Sequence, residues 1–269
     1  MSQPASPPDI LARIVVHKHH EVESARQRLP LAQLRASLRP ATDDQPLLRA
    51  LQQPQLNVIA EVKRRSPSAG RIATIADPVK LARSYVEGGA VAVSVLTDTE
   101  FFGGSLDDLR QVVPAIAPTP ALRKDFIVDE YQIYEAAAAG ARIILLIAAR
   151  LEPTQAWHYH QLAHSLGMET IFEIHDLAEY EPFASYAWPI IGINNRNLRT
   201  FQTSLSTTLT VAAQLPSSAR VIGESGFASW DDLAYVRTHV HGYLIGESLA
   251  RTQDPAATLR QWRAAWGQL

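Results

Sequence analysis

Short apolar segments rich in Val, Ile and Leu alternate with longer segments of mixed polarity from residue 56 to the end of the chain. The short segments predict buried strands, and the segments between them have helical spacing, several with an Asp or Ser cap and a terminal Gly. The predicted strands are 56–63, 91–97, 120–125, 142–147, 168–174, 189–194, 220–224 and 242–246. Eight strand–helix units over roughly 210 residues fit an α/β fold, the (β/α)8 TIM barrel. The alternative is an open doubly wound sheet, but KRRSPSAG stands where its G-x-G-x-x-G turn would normally lie.

A helical extension precedes the barrel pattern. Asp9 is suitably placed to cap its first helix, which stops before Pro30. The predicted helices are 10–29, 31–38 and 46–52. We predict one domain with a disordered N-terminus at 1–8, a helical extension at 9–55 and the barrel at 56–269.

Polar side chains stand near the carboxyl ends of most predicted strands. They are Glu61, Lys63, Lys124, Glu173, Asn194 and Glu224, with Arg196 and Ser225 following directly. In a barrel, catalytic groups come from the carboxyl ends of several strands. Because alternate strand residues share a face, Glu61 and Lys63 are expected to point into the barrel with Ile59. A purely structural ion pair between Glu61 and Lys63 is the alternative explanation.

Two turns that contain Gly and Ser follow the last two predicted strands. They read GESG at 223–226 and IGES at 245–248. The loops after strands seven and eight of such barrels often bind phosphate through backbone N–H groups, which Gly allows to approach closely. The turns therefore predict a phosphate site, with ordinary tight turns as the alternative.

Composition narrows the functional classes. The 269 residues include 25 basic and 27 acidic side chains, so bulk charge predicts neither a nucleic-acid nor a membrane partner. The absence of cysteine excludes disulfides, thiolate catalysis and cysteine-bound metals. Neither a signal peptide nor a membrane-spanning run is evident, so a cytoplasmic location is expected. His158, His160 and His164 are expected on an exposed helix face and not at a metal site.

Seven stretches resemble indole-3-glycerol phosphate synthase, in the same order along the chain. They are VIAEVKRRSPSAG, SVLTDTEFFGGSLDDL, LRKDFIVDEYQIYEAAAAGA, FEIHD, IGINNRNL, IGESG and LIGESL. The resemblance implies a (β/α)8 barrel with an N-terminal extension and a carboxy-lyase of tryptophan biosynthesis. Such an enzyme converts 1-(2-carboxyphenylamino)-1-deoxyribulose 5-phosphate to indole-3-glycerol phosphate, carbon dioxide and water. It uses no metal and no organic cofactor.

The resemblance also implies roles for individual residues. Lys124 would be the acid that protonates the ketone oxygen, Lys63 would contact the anthranilate carboxylate, and Glu173 would accept a proton during dehydration. Glu61, Asn194 and Glu224 would hold the lysines and the substrate hydroxyls. The substrate-binding residues would be Arg196, the wall residues Phe126 and Leu145, and the phosphate-binding residues Ser66, Ser225, Gly226, Gly246 and Glu247. Some relatives have Ser in place of Glu247, where a backbone contact is expected.

Physical chemistry adds one expectation about the lysines. A lysine with an ordinary pKa of about 10.4 is a weak acid, and a neighbouring positive charge lowers that pKa. If Lys63 and Lys124 lie close together, they would lower each other's pKa, while Glu61 and Glu224 would keep them from being lost as neutral amines. The expected ligand is a phosphorylated small molecule. The protein is expected to be a monomer that can associate with other tryptophan-pathway enzymes.

Three alternatives to the synthase stay open from the residues. One is a class I aldolase with Lys63 or Lys124 as the Schiff-base nucleophile. A sugar-phosphate isomerase is disfavoured, because it would typically use an Asp pair or a Cys/Asp pair. A non-catalytic barrel that binds a phosphate ligand is the third.

Overall fold

The computed structural model describes residues 10–38, 44–197 and 200–268, and eight parallel strands form a closed barrel within it. The strands are β1 (Val58–Val62), β2 (Ala92–Leu96), β3 (Ala121–Lys124), β4 (Ile143–Ile147), β5 (Glu169–Ile174), β6 (Ile190–Asn194), β7 (Arg220–Glu224) and β8 (Gly242–Ile245). Each strand pairs with the next along the chain, and β1 pairs with β8. The predicted (β/α)8 barrel is confirmed, with strand positions that differ from the prediction only at the ends.

Three helices precede the barrel, and the others alternate with its strands. They are α1 (Ile10–Arg28), α2 (Leu31–Ala36), α3 (Pro46–Leu51), α4 (Pro78–Glu87), α5 (Leu106–Ile116), α6 (Glu130–Ala138), α7 (Pro153–Ser165), α8 (Leu177–Tyr180), α9 (Ser206–Ala212), α10 (Trp230–Val236), α11 (Glu247–Arg251) and α12 (Pro255–Trp266). Predicted residues 1–8 and the Asp9 cap lie outside the described residues, and the division between extension and barrel stays a prediction. None of the described helices is long and apolar enough to cross a membrane.

The two faces of β1 pack against different surroundings, as its alternation predicts. Val58, Ala60 and Val62 belong to the apolar layer between the strands and the helices. Ile59 belongs to a separate cluster inside the barrel, together with inward residues of other strands. Since Glu61 and Lys63 follow Ile59 at intervals of two, the strand directs them toward the carboxyl end of the interior.

The N-terminal extension contacts both ends of the barrel. Leu47 and Leu51 of α3 pack into the interior cluster at the amino end of the strands. Glu169 at the start of β5 accepts hydrogen bonds there from the Leu47 and Leu48 amides, at 2.8 and 2.7 Å. At the other end of the barrel, α1 contributes Ile14 to the cleft described below. The extension therefore closes the base of the barrel and shapes its open end.

The histidines of α7 only partly follow the sequence prediction. His158 and His164 are exposed as expected, but the expectation was wrong for His160, which is buried. Its Nδ1 lies 2.6 Å from Thr170 Oγ1, and its ring stacks on Trp157 at 4.8 Å between centroids. Burial also lowers the pKa of His160 to about 4, with a smaller effect from nearby His164. His160 is thus a neutral packing residue between α7 and β5.

Candidate active site

The carboxyl ends of the strands surround a cleft of about 340 Å³. This volume lies within the range of roughly 300–1,000 Å³ that is usual for small-molecule sites. All fourteen residues named as candidates from the sequence line it: Glu61, Lys63, Ser66, Lys124, Phe126, Leu145, Glu173, Asn194, Arg196, Glu224, Ser225, Gly226, Gly246 and Glu247. The fold therefore brings the candidates together, while their individual roles stay predictions.

Lys124 at the end of β3 lies among carboxyl groups from other strands. Its Nζ is 3.1 Å from Glu173 Oε2 and 3.7 Å from Glu224 Oε2. Asn194 Nδ2 donates to the other oxygen of Glu173 at 3.2 Å. We call Lys124, Glu173 and Glu224 the lysine–carboxylate cluster. Its carboxyl groups are almost fully withdrawn from water, since Glu173 and Glu224 are 2% and 1% exposed, whereas the side chain of Lys124 is 16% exposed.

The second lysine has its own carboxylate. Lys63 Nζ forms an ion pair with Glu61 Oε1 two residues earlier on the same strand. The side chain of Lys63 is 21% exposed, whereas that of Glu61 is 3% exposed. Lys63 therefore reaches outward from a buried carboxylate into the cleft, which leaves part of the ammonium accessible to an anionic ligand.

The expectation of a mutually lowered lysine pKa was wrong for Lys124. Burial alone would lower the pKa of Lys124, but the charges of Glu173, Glu224 and Glu61 outweigh burial and raise it above its ordinary value. Each lysine is neutralised by carboxylates, and no lysine–lysine repulsion governs Lys124. Lys124 is thus a firmly protonated ammonium in the free protein.

The two glutamates of the cluster have opposite protonation preferences. Burial would raise the pKa of Glu173, but Lys124, His175 and Asn194 together lower it to about 2. For Glu224, burial and the neighbouring Glu173 charge raise the pKa well above its ordinary value, and Lys124 opposes this only in part. Two carboxyl groups around one ammonium thus divide into an ionised Glu173 and a Glu224 that tends to hold a proton.

His175 supports Glu173 from the loop after β5. Its Nε2 lies 3.7 Å from Glu173 Oε1, and its Nδ1 lies 2.9 Å from Glu179 Oε2. Burial would lower the pKa of His175, but the hydrogen bond to Glu179 and the charges of Glu173 and Glu179 raise it. His175 therefore lies between Glu173 and Glu179, where its charge helps to keep the Glu173 carboxyl group ionised.

Part of the cleft lining is apolar. The rings of Phe102 and Phe126 lie 5.9 Å apart between centroids, and we call this pair the aromatic wall. Leu145 lines the same side, and Ile10 and Ile14 of α1 also reach the cleft. Neither Phe102 nor these α1 residues were among the candidates named from the sequence. The helical spacing of the α1 residues predicts an apolar face but not what that face contacts.

The loops after β7 and β8 form the opposite end. Ser225 and Gly226 have φ values of 65° and 89°, so a non-glycine residue occupies the left-handed region directly after Glu224. Gly246 lies against Glu61, since a Cβ on Gly246 would be 2.4 Å from Glu61 Oε1. The side chain of Glu247 pairs with Arg251 at 3.0 Å. Sequence reasoning missed Arg251, which also lines the cleft.

Gly192 is a further residue that sequence reasoning missed. It lies beside Glu173 in the register of β5 and β6. A Cβ at this position would lie 2.2 Å from Glu224 Oε1, so the absence of a side chain makes room for the Glu224 carboxyl group. A glycine in the interior of a strand, as in IIGIN, is the signal that could have found it.

Ser66 and Arg196 border the cleft from its loops. Ser66 lies in a two-stranded hairpin of Arg65–Ser66 and Gly70–Arg71, and its Oγ accepts from the Ala69 amide at 3.1 Å. The Arg196 amide donates to Asn194 Oδ1 at 3.0 Å, which ties this loop to the end of β6. In the described part of the chain, no group of three His, Asp or Glu side chains is arranged to hold a metal.

The fold and the cleft define a (β/α)8 barrel with a buried lysine–carboxylate cluster at the carboxyl end of its strands. A family model described as indole-3-glycerol phosphate synthase matches residues 11–262. The chain belongs to this family. The resemblance found in the sequence is therefore confirmed.

Curated relatives agree with the family assignment. The chain is 44% identical over 260 residues to the indole-3-glycerol phosphate synthase of Paracidovorax citrulli, covering 93% of this chain and 97% of that protein. It is 43% identical over 256 residues to the Bordetella pertussis enzyme of the same name, with the same coverage.

Solved structures at lower identity share the fold. Tryptophan synthase subunit alpha from Legionella pneumophila superposes with a TM-score of 0.60 at 15% identity, covering 83% of this chain and 99% of that one. The 3-hexulose-6-phosphate synthase of Salmonella typhimurium gives 0.65 at 12% identity, covering 79% and 99%. At such low identity these likenesses concern the barrel alone.

Proposed function

We propose that this protein catalyses the indole-3-glycerol phosphate synthase reaction, in which 1-(2-carboxyphenylamino)-1-deoxyribulose 5-phosphate loses carbon dioxide and water. The observation that carries the proposal is Lys124, held protonated between Glu173 and Glu224 in a cleft that the aromatic wall also lines, in a chain of this family. We further propose that the chain is a cytoplasmic monomer of tryptophan biosynthesis, able to associate with other enzymes of the pathway.

The first step is ring closure. The aromatic carbon that bears the carboxylate attacks the ketone carbon, and Lys124 donates a proton to the ketone oxygen. An alkoxide is a much stronger base than an amine, so the transfer becomes favourable as charge develops on that oxygen even though the pKa of Lys124 is raised. The buried ammonium also stabilises the developing charge directly.

Decarboxylation follows without a cofactor. The cyclised iminium receives the electron pair of the breaking carbon–carboxylate bond, carbon dioxide leaves, and the aromatic ring is restored. Lys63, paired with Glu61 and partly exposed, is suited to hold the carboxylate before this step. The side of the cleft formed by Phe126 and Leu145 would enclose the ring and keep water from it.

Dehydration requires a base, and Glu173 can act as that base after the first proton transfer. The new hydroxyl group takes up a proton from the Lys63 ammonium and leaves as water, and Glu173 accepts a proton from the adjacent ring carbon. Because Lys63 is partly exposed, it can regain its proton from solvent. In the resting state Lys124 is the strongest influence that lowers the pKa of Glu173. Once Lys124 has given its proton away, that influence disappears and Glu173 becomes the stronger base. The first proton transfer would thus prepare the second.

The phosphate group would bind at the opposite end, in the loops after β7 and β8. Ser225 and Gly226 form a tight turn there, and Gly246 keeps the β8 loop close to Glu61. Ser66 and Arg196 border the same cleft and would complete the substrate contacts. Binding the phosphate orients the reacting end of the substrate toward Lys124.

The deciding experiment adds the carboxyphenylamino-deoxyribulose phosphate to the purified protein and follows indole fluorescence. Product should accumulate with turnover, and folded protein without product would contradict the proposal. Borohydride with substrate distinguishes an aldolase, which would form a covalent lysine adduct. We expect no adduct, because a Schiff-base nucleophile must be a neutral amine and the carboxylates keep Lys124 protonated.

A further inference from the structure

A buried lysine outside the lysine–carboxylate cluster joins the N-terminal helix to the cleft. Lys18 of α1 is 3% exposed. Its Nζ lies 3.0 Å from Asp98 Oδ2 and 2.9 Å from Asp125 Oδ1, and it also pairs with Glu21. Burying an ammonium is costly unless it is paired, so these contacts determine where α1 can dock.

Asp98 and Asp125 are also the residues that fix the aromatic wall. Asp98 Oδ1 accepts hydrogen bonds from the amides of Phe101 and Phe102, at 2.7 and 3.2 Å. Asp125 Oδ1 accepts from the Phe126 amide at 2.8 Å. One ammonium therefore holds the two carboxylates that hold the backbone of both wall residues.

The two carboxylates differ in how strongly they depend on Lys18. Asp125 is also paired with Arg123 at 3.1 Å and accepts from Thr97 Oγ1 at 2.6 Å. Asp98 is fully buried, and among the described residues Lys18 is the cation paired with it. Without Lys18 the Asp98 carboxylate would have to take up a proton or move toward water, and the Phe101–Phe102 turn would move with it.

We propose that Lys18 is a positioning residue for the substrate's aromatic ring, acting through Asp98 and Asp125 on the aromatic wall. The inference rests on the proposed function, because the wall is assigned to the ring of that substrate. Lys18 lies 40 residues ahead of the start of β1 and is absent from the cleft lining, so it acts on the ring indirectly, through the two aspartates.

The test compares Lys18→Met with a control variant on the same helix. Arg26 also joins α1 to the barrel, through Asp129 at 2.6 Å, and within the described part of the chain neither member of this pair forms a direct hydrogen bond or ion pair with Phe102 or Phe126. Arg26→Met therefore weakens docking of the helix without releasing the wall. Steady-state kinetics, circular dichroism and the inhibition constant of inorganic phosphate are measured for both variants and for the wild type.

We expect Lys18→Met to raise KM about tenfold, since the wall contacts the ring in both the ground and transition states. Inhibition by inorganic phosphate should change by less than about twofold, because the phosphate end is formed by other loops. Arg26→Met should leave KM within about twofold of the wild type. An equal rise in KM for both variants, or an unchanged KM in Lys18→Met, would overturn the proposal.

Two further measurements keep the inference testable. If Lys18→Met does not fold, Lys18→Arg keeps the charge but not the ammonium geometry, and an unchanged KM in that variant would count against the proposal. Hydrogen exchange of the Phe102 and Phe126 amides needs no substrate. It should be faster in Lys18→Met than in the Arg26→Met control. Wild-type protein without synthase activity would contradict the proposed function instead, whatever the exchange result.

Discussion

Replacing Lys124 with methionine would remove the ammonium that the carboxyl groups of the cluster share. Methionine keeps most of the side-chain length, so the change tests charge more than volume. Lys124 is the largest of the influences that lower the pKa of Glu173, ahead of His175 and Asn194. Its loss leaves Glu173 buried beside Glu224 without its main counter-charge.

The stability effect can be worked out from Glu173. Its pKa falls from 4.5 to about 2 in the folded protein, and each unit corresponds to about 1.4 kcal/mol, so the stabilisation is on the order of 3 kcal/mol. Because the folded pKa is depressed, this stabilisation is complete above pH 4.5 and is lost as the pH falls toward 2. Lys124 shares this effect with His175 and Asn194 but is its largest cause, so Lys124→Met should lower the free energy of unfolding by about 2–3 kcal/mol at pH 7, and by less at pH 3.5.

The catalytic effect should be larger than the effect on binding. Loss of a general acid typically costs about 10²–10⁴ in rate, so we expect kcat to fall by that amount while KM changes little. Urea unfolding at both pH values and the indole fluorescence assay at pH 7 measure the two effects. Lys63→Met is the matched control for stability, because it removes the other lysine of the cleft and leaves the ion pair between Lys124 and Glu173 in place.

Two results would refute this reasoning. Near-normal turnover in Lys124→Met would exclude Lys124 as the acid. A stability loss as large at pH 3.5 as at pH 7 would show that the ion pair with Glu173 is not its source.

Sequence periodicity was sufficient to predict which strand residues point into the cleft. A period of two directs Glu61 and Lys63 inward with Ile59, and parallel strands in one barrel bring all carboxyl ends to one side. What the sequence could not predict was which charges meet. Lys124 of β3 is paired with residues of β5 and β7, which are distant along the chain and across the barrel. Whether the pKa of Lys124 is raised or lowered depends on those distances. The expectation that Lys63 would lower the pKa of Lys124 was therefore wrong.

The contribution of α1 was unpredictable for a related reason. Helical spacing places Leu11, Ile14 and Lys18 on one face, but periodicity does not state what covers that face. A lysine on an apolar helix face was nevertheless a signal, since burial requires an acidic partner. Asp98, directly after one predicted strand, and Asp125, at the end of another, were available as partners, but only the fold shows that they lie together.

Three further predictions concern the residues around Glu224 and the phosphate end. Gly192→Ala should place a Cβ against Glu224 Oε1 and lower kcat/KM by about tenfold or more, while circular dichroism shows a folded barrel. Glu247→Ser removes an exposed ion pair with Arg251, so the stability measured by thermal unfolding should change by less than about 1 kcal/mol. KM should stay the same or fall, because the variant has one anion fewer at the proposed phosphate end. A clearly raised KM would contradict this. Glu224→Gln should make the protein more stable at neutral pH. Burial and Glu173 raise the pKa of Glu224, so the folded protein binds a proton that the unfolded chain releases above pH 4.5, and the wild type loses stability as the pH rises from there. Glutamine does not titrate, so its unfolding free energy measured from pH 5 to 8 should decline less steeply than that of the wild type, and an unchanged slope would show that Glu224 is ionised throughout.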